Sequence, residues 1–134
     1  MAKIADDLEK LKATPDASTR NALALSLSET GKPEVLEVLV ELIKRTELKD
    51  TRGTLVHCLR FFDYNPHFNL LVELVATGNW EVAHEAFELI DSIDKISGTQ
   101  VSSASKKFKK CLEINQTEEW QKALLIKLVE MFDK

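Results

Sequence analysis

The chain has 134 residues, of which 44% are hydrophobic and 30% charged, and 18 basic against 22 acidic side chains give a net charge of −4. This length fits one domain, and the composition is that of an ordinary globular protein. The negative charge argues against a protein that grips nucleic-acid phosphates. No apolar stretch reaches the roughly 20 residues that span a membrane, and the acidic first ten residues are unlike a secretion signal. We therefore expect a cytoplasmic protein.

Apolar residues recur every three or four positions, and no stretch alternates as a strand would. This pattern predicts an all-α fold of about eight helices. Ser18 should begin the second helix and Gly31 should end it, Pro33 and Pro66 should open the third and fifth, and Thr117 should cap the last. In chain order, the predicted helices cover about residues 3–13, 18–31, 33–43, 50–62, 66–78, 80–93, 101–114 and 117–132.

The sequence also repeats itself at a spacing of 32 residues. Residues 19–43 align with residues 51–75 with 8 identities in 25 positions, where average residue usage gives about one or two. A third unit follows 31 residues later. Because a lone helix pair cannot cover its own apolar face, stacked pairs stabilise one another. We predict one α-solenoid domain over residues 1–134, with repeat units at about 18–46, 50–78 and 80–114 and capping helices at about 3–13 and 117–133.

The sequence offers no recognisable catalytic, cofactor or metal site. The four glycines stand far apart, which excludes a glycine-rich phosphate loop, and the three histidines lack metal-ligand spacing. Ser-x-x-Lys matches at Ser92 and Ser103 lack the partner motifs of a nucleophile. Cys58 and Cys111 are predicted to be buried thiols. We predict a protein that is not an enzyme and that needs no cofactor or metal.

Acidic residues recur on one face of the predicted sixth helix, and they are Glu81, Glu85, Glu88 and Asp91. They oppose an apolar face, so they form either a simple solvated surface or a docking surface for a basic partner. The one basic cluster, residues 106–110, lacks arginine and stacking aromatics and predicts a solvated surface rather than a nucleic-acid contact.

The turn inside the second repeat unit is unusually aromatic. Phe62 and Phe68 suffice for core packing, which leaves Tyr64 and Phe61 near the surface. Tyr64 and Trp80 either pack internally or anchor a partner, because tyrosine and tryptophan are preferred interface residues. The candidate partner-binding residues are therefore Asp63, Tyr64, His67, Trp80, Glu81, Glu85, Glu88 and Asp91.

The repeat units resemble short HEAT repeats, whereas the signatures of tetratricopeptide and ankyrin repeats are missing. Residues 50–56, 70–75 and 79–87 together resemble small bacterial HEAT-like immunity proteins of polymorphic toxin systems, including contact-dependent growth inhibition. The resemblance implies a cytoplasmic monomer that binds a cognate toxin domain one-to-one. Such toxins are often nucleases, some of them tRNA-cleaving, and the immunity protein would occlude the basic active-site cleft.

Two alternatives remain open. The protein could be a HEAT-type scaffold or adaptor for an endogenous protein partner. It could also be an enzyme, either a HEAT-like DNA-repair glycosylase or a chromophore lyase. A glycosylase needs a basic surface with stacking aromatics, whereas residues 51–100 carry 3 basic and 7 acidic side chains. The charge pattern therefore favours a protein-binding function.

Overall fold

The computed structural model describes residues 2–113 and 118–132, and their side chains from residue 4 onward. These residues form eight α-helices and three short 3-10 turns, and none of them lies in a strand, so the predicted all-α fold is confirmed. The predicted cap Thr117 lies outside the described residues. The helices are α1 (Ala2–Ala13), α2 (Ala17–Ser28), α3 (Pro33–Ile43), α4 (Gly53–Cys58), α5 (Phe68–Thr77), α6 (Trp80–Asp91), α7 (Gly98–Leu112) and α8 (Glu119–Phe132).

The helices divide between two compact units, residues 1–64 and residues 65–134. In the first unit α1 packs on α2 and α3 packs on α4, with further contacts of α1 on α3 and of α2 on α4. The second unit has the same plan, because α5 packs on α6, α7 packs on α8, and contacts join α5 to α7 and α6 to α8. Each unit is therefore a pair of helical hairpins.

This pairing lies one helix out of phase with the predicted repeat units. Those units joined the sixth helix to the seventh, whereas the extensive contacts join α5 to α6 and α7 to α8. A periodic sequence fixes the spacing of a repeat but not the residue at which a unit begins, which explains the difference. That residues 1–134 form one domain stays a prediction.

Local sequence explains where α2 and α3 begin. Asp16, rather than the predicted Ser18, caps α2, and its carboxylate accepts hydrogen bonds from the backbone N–H (2.9 Å) and hydroxyl (2.6 Å) of Thr19. Gly31 follows α2 with a φ of +68°, a left-handed conformation that favours glycine. Pro33 opens α3 as predicted, since its missing N–H costs nothing in the first turn.

The second predicted repeat unit is less regular than its sequence suggests. Helix α4 covers only Gly53–Cys58 and continues as a 3-10 turn over Leu59–Phe61. A second 3-10 turn, Asn65–His67, precedes α5, so α5 begins at Phe68 and not at Pro66. Helix α7, by contrast, begins earlier than predicted, because Ser97 and Gln100 form a capping box at its start.

Each unit has its own apolar core. In the first unit α3 contributes more buried side chains than any other helix, whereas in the second unit two phenylalanines, Phe68 and Phe108, are almost completely buried. The Phe132 ring contacts both of them, with ring centroids 6.3 Å and 6.2 Å apart, and so ties the end of α8 to α5 and α7.

Arginines bind the ends of the helices in the first unit. The guanidinium of Arg20, in α2, donates to the carbonyl of Thr14 just after α1 (3.0 Å), and that of Arg52, before α4, donates to the carbonyl of Ile43 at the end of α3 (2.8 Å). Arg45 donates to the carbonyl of Lys12 (2.9 Å). The last carbonyls of a helix have no partner within the helix, so these bonds satisfy them. Arg20 and Arg52, which occupy equivalent positions of the 32-residue repeat, therefore each bind a carbonyl at or just after the end of the preceding helix.

The second unit contains no arginine and ends its first helix differently. The side-chain amide of Gln121, in α8, donates to the carbonyls of Val75 (3.3 Å) and Ala76 near the end of α5. Gly78 follows, and a Cβ atom there would lie 2.5 Å from the Leu74 carbonyl oxygen and 2.7 Å from Val82 Cγ1. Only glycine therefore permits this close approach between α5 and α6.

Candidate functional site

Helix α6 carries most of the candidate residues and is amphipathic as predicted. Its apolar positions Val82, Ala83, Ala86, Leu89 and Ile90 are buried. Glu81, Glu88 and Asp91 are exposed, and Glu85 is half-buried. Asn79 caps the helix by accepting a hydrogen bond from the Val82 N–H (2.9 Å), which fixes where the exposed face begins.

An aromatic cluster occupies the beginning of the same face. Trp80 is 58% exposed, the largest exposed fraction among the exposed large hydrophobic side chains of the described chain. The ring of His84 lies against it, with centroids 4.1 Å apart and planes tilted by 31°, and Trp120 of α8 lies 5.8 Å from His84 on a 34° tilt. His84 Nδ1 is 2.7 Å from the Trp80 carbonyl oxygen, a contact that orients the imidazole.

We call this combination the aromatic–acidic face. It consists of the α6 residues Trp80, Glu81, His84, Glu85, Glu88 and Asp91 and of Trp120 in α8. Exposed aromatic area, carried on a helix with a packed underside, is typical of protein-binding surfaces. The face lies entirely within the second unit.

The remaining candidates lie elsewhere. Asp63 and Tyr64 belong to the first unit, and His67 lies in the 3-10 turn at the start of the second, where it is half-buried. Asn65 in that turn donates to the Lys95 carbonyl (3.4 Å). That these three candidates share one partner-binding site with α6 stays a prediction.

Several burial predictions can be compared with the structure. Phe68 is buried as predicted, but Phe62 is only half-buried. Phe61 is 46% exposed and Tyr64 is half-buried. Cys58 is a buried thiol, whereas the prediction of a buried Cys111 was wrong, since Cys111 is half-buried.

Sequence reasoning missed two members of the aromatic cluster, His84 and Trp120. Trp80 and His84 stand four residues apart, a spacing that places side chains together on a helix, so the sequence held a signal for this pair. Trp120 reaches His84 only because α8 packs on α6, and nothing in the local sequence indicates that contact.

The basic residues of α7 are separate from this face. Lys107 forms an ion pair with Glu73 of α5, and Lys106, Lys109 and Lys110 are exposed. Glu73, one of the acidic residues of positions 51–100, is thus paired with a lysine of its own unit.

Features typical of other functions are absent from the part of the chain that is described. No group of three His, Cys, Asp or Glu residues there is placed to hold a metal ion, and no helix there has the length and apolarity to cross a membrane. An open groove of about 270 Å³ lies where α6 and α8 end and α7 begins, and its lining residues are apolar except for Asp94.

Comparison with known families agrees with the helical hairpins. The sequence pattern of HEAT repeats matches residues 4–91, which is more than half of the chain. No curated protein and no solved structure matches the chain significantly. The predicted fold class, an α-solenoid of HEAT-like helical hairpins, is confirmed, and the chain belongs to the HEAT-repeat family.

Proposed function

We propose that this protein is a binding protein, without catalytic activity, that engages a basic protein partner through the aromatic–acidic face. The observation that carries the proposal is the exposure of Trp80 beside carboxylates on a helix whose other face is buried. HEAT repeats are protein-interaction scaffolds, so a binding role suits the family. Exposed tryptophan supplies the apolar area of an interface, and the carboxylates supply its charge complementarity.

The charge of the second unit supports the choice of partner. Glu81, Glu85, Glu88 and Asp91 follow one another on α6 at intervals of three or four residues, about one helical turn, and all but the half-buried Glu85 are exposed, so this side of the helix is acidic. A strip of one sign attracts an oppositely charged surface over about 8–10 Å at physiological ionic strength. A partner with a basic cleft would complement this helix in charge.

In a more specific form, we propose that the partner is a cognate toxin domain and that the protein is an immunity protein. The support for this form is the sequence resemblance of residues 50–56, 70–75 and 79–87 to small bacterial immunity proteins. A nuclease toxin needs a positive cleft to hold its substrate. Occlusion of that cleft by a carboxylate-rich helix would block substrate entry in a one-to-one complex.

Co-expression tests this form. The protein is produced together with the domain encoded by the reading frame immediately upstream, and the growth of the cells and the integrity of their nucleic acids are measured. We expect protection by the wild-type chain and loss of protection by the double charge reversal Glu85→Lys, Glu88→Lys. A toxin that remains fully active beside the wild-type chain would remove the immunity proposal.

The first unit provides a matched control. Glu34 and Glu37 are exposed on α3 at the same three-residue spacing. Their reversal to lysine changes the net charge by the same amount, but it leaves the aromatic–acidic face intact. We expect this control variant to protect like the wild type, and circular dichroism should show unchanged helicity for both variants.

The second candidate is a scaffold or adaptor for an endogenous partner, a role with which the HEAT-repeat match is compatible. It uses the same face and differs only in the identity of the partner. A partner that co-purifies from the host, depends on Glu85 and Glu88, and is harmless to the cell would favour the adaptor over the immunity protein.

A further inference from the structure

We propose that the aromatic–acidic face binds an arginine side chain of its partner, with the guanidinium stacked on the exposed indole of Trp80. This inference rests on the proposed binding function and names the group that the site recognises. It is carried by the geometry of the aromatic cluster rather than by the acidity of the helix alone.

The cluster leaves one side of Trp80 available. His84 lies against the indole with ring centroids 4.1 Å apart and ring planes tilted by 31°, so it covers part of one ring face. Trp80 is nevertheless 58% exposed, so more than half of its surface is open to solvent. His84 packs on Trp120 and contacts the Trp80 carbonyl oxygen. These two contacts hold the imidazole against the Trp80 indole. A rigid, open indole face is a cation-binding surface.

Acidic residues flank both tryptophans of the cluster in the sequence. Glu81 follows Trp80 in α6 and is exposed, and Glu118 and Glu119 precede Trp120 at the start of α8 and are exposed as well. The Glu119 carboxylate lies 3.5 Å from the Lys122 ammonium. An ion pair as open to solvent as this one adds little to the stability of the fold. The segments that carry the two tryptophans are therefore acidic, which favours a cationic ligand over a neutral one.

Arginine fits this arrangement better than lysine does. The guanidinium is planar and weakly hydrated, so it stacks on an indole while its N–H groups bind carboxylates in the same plane. The lysine ammonium is a compact, strongly hydrated charge and gains less from the ring. The second unit supplies no arginine of its own to occupy the position.

The two tryptophans of the protein both belong to the cluster, so their signals report on it directly. We would titrate the full chain with three blocked peptides that differ only at the central residue, which is arginine, lysine or the neutral isostere citrulline. The two indole N–H resonances are followed by NMR. We expect the indole N–H resonance of Trp80 to shift. The arginine peptide should bind most tightly, and the citrulline peptide should bind about 2- to 5-fold more weakly.

A matched pair of variants completes the test. Trp80→Leu should weaken arginine-peptide binding about 2- to 5-fold, and Phe61→Leu, which alters an exposed aromatic of the first unit, should leave it unchanged. Equal binding of the arginine and citrulline peptides, or equal binding by Trp80→Leu and the wild type, would overturn the inference. Equal binding of arginine and lysine would also overturn it, since the site would then recognise charge alone. Each of these results leaves the co-expression test of the proposed function unaffected.

Discussion

The two units of the molecule have the same helical plan but satisfy their helix ends with different chemistry. In the first unit, Arg20 and Arg52 occupy corresponding places in the two hairpins, and each binds a carbonyl at or just after the end of the preceding helix. In the second unit, the position 31 residues after Arg52 is Ala83, which is buried, and Gln121 binds the carbonyls of α5 instead. The fold thus requires that terminal carbonyls be satisfied, but it does not require one residue type.

The difference has a consequence for function. The arginines of the first unit place cations at its helix ends, whereas the second unit has none and presents carboxylates and an exposed tryptophan on α6. The second unit is therefore the one whose surface suits a basic partner. The predictions below test each side of this comparison.

Removal of the Arg20 side chain should have the largest effect on stability. Arg20 is only 4% exposed and donates to the Thr14 carbonyl. We expect Arg20→Ala to lower the free energy of unfolding by about 2–4 kcal/mol, because it removes both the hydrogen bond and the packed stem. Arg20→Met keeps most of the stem and should cost about 1–2 kcal/mol. Denaturant unfolding measures both values.

The control for Arg20 is Arg60→Met. Arg60 is exposed, and its Nε donates to the carbonyl of His57, three residues earlier. We expect a change within about 0.5 kcal/mol. Equal losses for Arg20→Met and Arg60→Met would contradict the capping role assigned to the buried arginine.

Substitution of Gly78 tests the close approach of α5 and α6. An alanine Cβ would overlap the Leu74 carbonyl and the Val82 side chain, so the two helices must move apart. We expect Gly78→Ala to destabilise the protein by about 1–3 kcal/mol. Gly98→Ala is the matched control, since nothing lies within 4 Å of its added Cβ, and it should be neutral or stabilising. Thermal unfolding of both variants provides the comparison, and equal melting temperatures would contradict the account.

In the second unit Gln121 binds helix-terminal carbonyls, as arginine does in the first unit, and its substitution tests this role. Gln121→Leu retains the size of the side chain and removes the amide that binds the α5 carbonyls. We expect a loss of about 1 kcal/mol in the free energy of unfolding, the ordinary net value of a hydrogen bond. Amide hydrogen exchange should also become faster around the end of α5. Unchanged stability and exchange would show that these carbonyls need no such partner.

Asp16 should give the smallest effect, and one that depends on pH. Hydrogen bonds from the side chain and then the backbone of Thr19 hold the pKa of Asp16 below its ordinary value. A carboxyl whose pKa is lower in the folded state stabilises the fold above the pKa of the unfolded chain, about 3.9, and loses this contribution as the pH falls through the folded value. We expect Asp16→Ala to lower the melting temperature at pH 7 by a few degrees, and the difference from wild type to shrink below pH 4. A difference that is constant from pH 7 to pH 2.5 would contradict this role.

Burial also affects the pKa of Arg52, a residue of the first unit that belongs to the sequence repeat. Desolvation lowers the pKa of Arg52, and Asp50 opposes this effect. An arginine so lowered stays a cation at neutral pH, because its pKa starts far above 7. Its charge therefore remains available to the Ile43 carbonyl.

The sequence predicted the features that depend on local patterns. The 3.6-residue period located the helices, Pro33 opened α3, and the face of α6 that bears Glu81 and Glu88 is exposed as expected. Features that depend on packing escaped prediction. The phase of helix pairing, the carbonyl that Arg20 binds and the contact of Trp120 with His84 all join residues whose relation is set only by the fold.

The most direct test of the central claim is the salt dependence of association. The association rate of the upstream-encoded domain is measured by stopped flow from low to high salt for the wild type, Glu85→Lys/Glu88→Lys and Glu34→Lys/Glu37→Lys. We predict that salt slows the wild type and the α3 variant alike, and that reversal on α6 lowers the rate at low salt by about 10-fold or more and flattens its salt dependence. Equal rates for the two variants at every salt concentration would contradict the assignment of binding to α6.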